Sequence, residues 1–200
     1  MDKLEIRKEI EKLLLSTKRK GIKKLVLELD SLGYFEAPAS TMYHLNYAGG
    51  LAEHSLNVCK LMNNMAESMN AHQFDSITND SIIITSLLHD LGKSNFFDKS
   101  EYIPNILKNG SVSDKKPWVV NKSRPPIPHA VASIQIASQY IQLTQEEMTA
   151  ILYHDGLYVA NGRDIQNKEQ PLQLLLHWAD MWNARFIETI GSEESDGGEC

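Results

Sequence analysis

Two hundred residues, 42% of them hydrophobic, are enough for one compact domain with a substantial core and too few for two. Every apolar run is broken by charge within about 18 residues, which excludes a membrane helix, and the charged start from Met1 to Arg7 lacks the apolar stretch of a signal peptide, so the expected compartment is the cytoplasm. A formal charge of −6 argues against gripping long double-stranded nucleic acid but suits a small phosphorylated ligand neutralised locally, and the two cysteines, Cys59 and Cys200, make neither a disulfide framework nor a paired-cysteine zinc site.

In chain order, Leu4, Ile6, Ile10, Leu13 and Leu14, then Ile22, Leu25, Val26, Leu29 and Leu32, recur at helical spacing, with Gly21 between two short helices. Residues 1–34 therefore read as a helical cover. The segment 31–50 is rich in turn formers and aromatics and ends in Gly49-Gly50, which frees the backbone for a tight turn or a close approach to a ligand. From Leu51 to about Met69 the helical pattern returns, and His54 shares a face with Val58, Leu61, Met62 and Met65. A lone histidine on such a face is most often a hydrogen-bonded core residue. His72 reads as a surface residue.

The run Ile82-Ile83-Ile84-Thr85-Ser86-Leu87-Leu88-His89-Asp90-Leu91-Gly92-Lys93 is the hardest to explain by packing alone. As a helix it gathers Ser86, His89, Asp90 and Lys93 at its C-terminal end, with Gly92 as the expected helix-ending residue. Ionised groups beside an apolar segment need a partner, and an imidazole nitrogen with a carboxylate oxygen suits a divalent metal. Prolines and glycines then fill 94–128, which reads as a long loop region with at most a short helix at 100–108. Its Lys115, Lys116, Lys122 and Arg124 are either a solvated basic surface or a lid that brings a cation, Arg124, to a substrate phosphate.

Pro128 precedes a helix that opens at His129. Thr144 and Glu147 form a capping box for the next, which ends at Tyr153-His154-Asp155-Gly156. The apolar stretch from Leu172 to Met181 contains Asp180, a second buried-charge problem. Residues 191–200 are acidic, poor in apolar residues and expected to be a disordered tail. The fold class is therefore all-α, a single helical bundle over 1–190.

His54, His89, Asp90, His129, His154 and Asp180 each sit on or at the end of a helix whose other residues are core. Four imidazoles and two carboxylates facing one interior are satisfied more easily by metal than by one another. Their order, with the flanks Gly49-Gly50-Leu51-Ala52-Glu53-His54, His89-Asp90-Leu91-Gly92-Lys93 and His154-Asp155-Gly156, resembles the two-metal branch of the HD-domain superfamily of metal-dependent phosphohydrolases. It is similar to the HD domain of bacterial 3′→5′ exoribonucleases and of small bacterial and phage hydrolases, from about Phe35 to Phe186.

The resemblance implies one metal held by His54, His89, Asp90 and Asp180 and a second by His129 and His154, with Asp90 bridging. It further implies a metal-bridging hydroxide that cleaves a phosphomonoester or phosphodiester of a nucleotide or short oligonucleotide. Lys93 would hold a phosphate oxygen or help protonate the leaving group, and His44 and Arg124 would contact substrate. Imidazole and carboxylate ligands without thiolate suit manganese, iron, cobalt, nickel or zinc. Two other readings use the same residues: a di-iron HD-domain oxygenase, and a non-catalytic nucleotide-binding module.

Overall fold

The computed structural model describes residues 2–189, so the expected acidic tail at 191–200 lies outside the described residues. Among the described residues, seven α-helices carry the fold: α1 (Lys3–Ser16), α2 (Ile22–Glu28), α3 (Gly50–Ser68), α4 (Asn79–Leu88), α5 (His129–Ser138), α6 (Gln145–Leu152) and α7 (Pro171–Trp182). The all-α expectation holds for the scaffold, with one small exception at 94–128.

The apolar stripes explain the packing. From α1, Ile6, Ile10 and Leu14 are buried with Ile22 and Leu25 of α2 against Leu51, Leu56 and Cys59 of α3 and Ile84, Leu87 and Leu88 of α4. A second apolar cluster joins Val58 and Met62 of α3 and Ile82 of α4 to Ala150 of α6 and Leu172, Leu175 and Leu176 of α7. Helix α4 is buried on every side from Ser81 to Leu88, which is why its sequence reads as an unbroken apolar run. Thr85 and Ser86 return their hydroxyls to carbonyls one turn back, so neither polar side chain is left unpaired in this core.

Caps set the ends that matter. Thr78 accepts from Ser81 N at the start of α4, and Thr144 with Glu147 forms the anticipated capping box on α6. Glu147 is fully buried, yet both its oxygens are held by Arg19, at 2.5 and 2.8 Å, so the cap of α6 is also an anchor for the connection between α1 and α2. The Gly49-Gly50 pair serves a tight turn. A Cβ on Gly50 would lie 2.0 Å from the Leu45 carbonyl oxygen, so its absence lets the 41–48 loop fold back onto the start of α3.

The 94–128 excursion differs from expectation. In place of a short helix at 100–108 there is a two-stranded antiparallel hairpin, β1 (Tyr102–Pro104) with β2 (Trp118–Val120), in the register Ile103 opposite Val119. Trp118 donates from its indole Nε1 to the Asn46 carbonyl (2.9 Å) and from its backbone N–H to that of Thr41 (3.3 Å), so the hairpin braces the 41–48 loop. Lys115, Lys116 and Lys122 are exposed, as in the solvated-surface reading. Among the described residues, no helix is long and apolar enough to cross a membrane.

Candidate metal centre

Helix α4 stops at Leu88, one turn earlier than its sequence suggests, and His89 caps it. Asp90 leaves the helical conformation and Leu91–Lys93 make a single 3-10 turn, which swings Asp90 and Lys93 toward α3 and α5. Gly92, expected to end the helix through a left-handed conformation, is needed for a different reason. A Cβ there would lie 2.0 Å from the His129 carbonyl oxygen, so the turn bearing Asp90 can press against the first turn of α5 only without a side chain. Ser133 of α5 stitches the contact, donating to the His89 carbonyl and accepting from Gly92 N–H, both at 2.7 Å.

The result is convergence of all six expected ligands. Asp90 lies at the middle, with Oδ2 3.4 Å from His89 Nε2 and 3.9 Å from His54 Nε2, and Oδ1 3.3 Å from His129 Nε2 and 3.5 Å from His154 Nε2. Asp180 of α7 brings Oδ1 to 2.9 Å from His54 Nε2 and 4.0 Å from His89 Nε2. His54, His89, Asp90 and His154 are essentially fully buried.

The tautomers make this convergence informative. His89 Nδ1 donates to the Ser86 carbonyl (2.8 Å) and His154 Nδ1 to that of Ile151 (2.7 Å); both carbonyls can only accept, so the Nδ1 atoms carry the protons. His54 Nδ1 faces Glu188 Oε2 and its Nε2 faces Asp180 Oδ1, each at 2.9 Å, so a neutral His54 can donate to only one of the two carboxylates. In their neutral form the His89 and His154 rings therefore direct Nε2 lone pairs toward Asp90, and His89 toward Asp180 as well. His129 Nε2 and His154 Nε2 are 3.2 Å apart, while His89 Nε2 and Asp90 Oδ1 are buried without a hydrogen-bond partner. An assembly of acceptors facing acceptors is stable only around cations, and the donor set of imidazoles and carboxylates fits divalent metal ions. Among the described residues, four overlapping triads of side chains could each hold an ion: His54-His89-Asp90, His89-His154-Asp180, Asp90-His129-His154 and His44-His54-Glu188.

Without metal, protons take that place. Burial opposes charge on His54, but Glu188 and then Asp180 outweigh it and raise its pKa to about 10. His154 is raised to about 9 against the same burial, chiefly by its contact with Asp90. Burial dominates at His129 and pushes it down to about 4. Burial also opposes charge on Asp90 and Asp180; Lys93 for the first and His54 for the second reverse the balance and hold both carboxylates below their usual range.

The remaining expected residues fall into two groups. Lys93 Nζ donates to Asp90 Oδ2 (2.6 Å) and to the Ala39 carbonyl (3.0 Å), leaving one N–H uncommitted at a cavity of about 1000 Å3 that opens from the centre. His44 lines the same cavity; its ring lies 4.9 Å from that of His54 and its Nε2 is buried without a partner. Arg124 is placed elsewhere. It is buried, donates to the carbonyls of Gly92 (2.5 Å) and Ser94 (3.3 Å), faces Glu101 at 3.5 Å, and is absent from the cavity lining.

Four residues that sequence reasoning passed over belong to the site. Glu188 orients His54 and is held in turn by Asn57 Nδ2 at 3.0 Å. Asp155 brings Oδ2 to 3.5 Å from His129 Nε2, and His177 Nδ1 donates to the His154 carbonyl at 2.6 Å. Asp155 had a signal, since it adjoins His154. Glu188 follows a π-turn, Asn183–Ile187, that no spacing rule anticipates.

Residues 51–180 match the family model described as HD domain. Over 58 residues the chain is 41% identical to the dihydroneopterin 2′,3′-cyclic phosphate phosphodiesterase of Methanocaldococcus jannaschii, a stretch covering 29% of this chain and 23% of that protein. The chain thus spans less than a quarter of that relative's length. No solved structure matches it at a significant level. With a family match across well over half of its length, the chain belongs to the HD-domain family.

Proposed function

We propose that the protein is a metal-dependent phosphohydrolase, with residues 1–190 as its catalytic unit, that cleaves a phosphomonoester or phosphodiester of a nucleotide or short oligonucleotide. The observation that carries this reading is the convergence of buried, mutually repelling acceptors around Asp90, whose two oxygens face different pairs of imidazoles. The phosphodiesterase named above lends support as a relative of this chain that acts on a phosphate ester.

In this reading His54, His89, Asp90 and Asp180 would hold one divalent ion, and His129, His154 and Asp90 would hold a second. When bound, such ions supply Lewis acidity toward phosphoryl oxygens and bring the pKa of water down to about 7. The protein's own groups do the rest. Burial alone would lower the pKa of Lys93, but the Asp90 charge raises it above its ordinary value, so the ammonium stays cationic and acts on a phosphoryl oxygen by charge and its one uncommitted N–H. His44, held neutral by burial with a pKa of about 4, offers a hydrogen-bonding nitrogen to the substrate. Glu188 fixes the His54 tautomer, and Arg124 fixes the Gly92–Ser94 turn that aims Asp90 and Lys93.

The test is metal analysis of the purified chain followed by a screen of nucleotides, cyclic nucleotides and short oligonucleotides with manganese, iron, cobalt, nickel and zinc. Release of phosphate or nucleoside with at least one metal, abolished by chelation, is expected. A fully loaded protein that consumes oxygen, or that retains every ligand intact, contradicts the proposal.

A further inference from the structure

The cavity holds more than a phosphoryl group requires, and three residues in its lining sit on the same short segments as the metal ligands. Tyr158 lies four residues after His154, His177 three before Asp180, and Arg185 five after it. The Arg185 guanidinium carbon lies 5.8 Å from the centroid of the Tyr158 ring, and the His177 ring centroid is 6.3 Å from it at an interplanar angle of 43°. Tyr158 is nevertheless 70% exposed, so its ring contributes little to the core.

His177 is seated by the turn that follows His154. Gly156 has φ +57, and a Cβ on it would lie 2.6 Å from the His177 ring, so the imidazole packs directly on the glycine backbone. Because His177 Nδ1 donates to the His154 carbonyl, the neutral ring presents Nε2 as an acceptor only. An aromatic face, a guanidinium and an oriented acceptor therefore lie together on the segments that carry the residues proposed to hold metal.

We infer that Tyr158, His177 and Arg185 form a subsite for a planar heteroaromatic ring carried by the substrate, a nucleobase or a bicyclic base with an N–H donor on its edge. The ring stacks on Tyr158 and the Arg185 guanidinium, while its edge N–H donates to His177 Nε2. The phosphohydrolase reading supplies the phosphate end of that substrate; the subsite itself concerns the base and is separable from turnover.

The experiment compares adenosine 5′-monophosphate with ribose 5-phosphate, and adenosine 2′,3′-cyclic phosphate with its ribose counterpart, in calorimetric binding to the metal-loaded protein and in kcat/KM. The wild type should favour the base-bearing ester in both. Tyr158→Ala should reduce that preference about tenfold, the scale of one base–aromatic stack, whereas Tyr158→Phe should keep it. An unchanged preference in Tyr158→Ala, or an equal loss in Tyr158→Phe, overturns the subsite. If the wild type binds the base-bearing ester preferentially but hydrolyses neither, the reaction fails and the subsite stands. Hydrolysis of both at equal kcat/KM leaves the reaction standing and rejects the subsite.

Discussion

Glu188 Oε2 lies 2.9 Å from His54 Nδ1, which places a carboxylate behind the imidazole whose other nitrogen faces Asp90 and Asp180. Such a backing carboxylate fixes the tautomer and makes the ring a stronger ligand. Glu188→Gln should weaken metal binding by about 10–100-fold and should also lower the thermal stability of the metal-free protein, where the buried, protonated His54 ring loses a charge partner. Competition against a chelator measures it, and unaltered affinity would reduce Glu188 to a packing role.

Metal uptake should release protons. The metal-free pKa values of His54 and His154, about 10 and about 9, both lie above neutral pH, so both rings carry a proton that a metal must displace. His129, at about 4, has none to give. Apparent affinity therefore levels off above about 10, falls as pH drops below it, and falls more steeply below about 9. Calorimetry near neutral pH in buffers of different ionisation heat should count about two protons released per loaded chain. Binding with no proton release would contradict the protonation of His54 and His154 in the metal-free centre.

Lys93 and Asp90 separate metal retention from turnover. Lys93→Ala should keep its metal and lose kcat by about 10²–10³-fold, the scale of one preorganised charge at a transition state. Loss of metal by Lys93→Ala would show instead that the ammonium holds Asp90 in place.

Arg124 distinguishes a scaffold from a substrate contact. Removing its guanidinium strands the carbonyls of Gly92 and Ser94 and the Glu101 carboxylate, so Arg124→Ala should cost about 2–4 kcal/mol in urea unfolding. The folded fraction should show an unchanged KM. A raised KM at full stability would return Arg124 to the substrate.

Much of this was legible from residue spacing because helices repeat locally. Stripes such as Ile6, Ile10 and Leu14 dictate a buried face whatever lies opposite, and Thr144 with Glu147 announces its own cap. The residues expected to hold metal stood out as polar groups in segments that are otherwise core. What escaped depends on long-range partners. The hairpin of Tyr102–Pro104 and Trp118–Val120 is three residues per strand, too short for alternation to register, and exists through pairing across the intervening chain. Arg124 reads as surface because sequence cannot reveal which carbonyls lie within its reach. Glu188, eight residues after Asp180, would fall about 80° away on a regular helix, and the extra residue of the π-turn, marked by Glu188 N–H donating to the Asn183 carbonyl, takes up that difference.

The most direct measurement is elemental analysis of wild-type and Asp90→Ala protein, each saturated with a divalent transition metal and freed of excess, alongside phosphate-ester hydrolysis. The expected result is about two ions per wild-type chain with turnover, and the loss of both ions and activity in Asp90→Ala. A wild-type protein that binds no metal, or an Asp90→Ala protein that keeps its ions and hydrolyses at the normal rate, would contradict it.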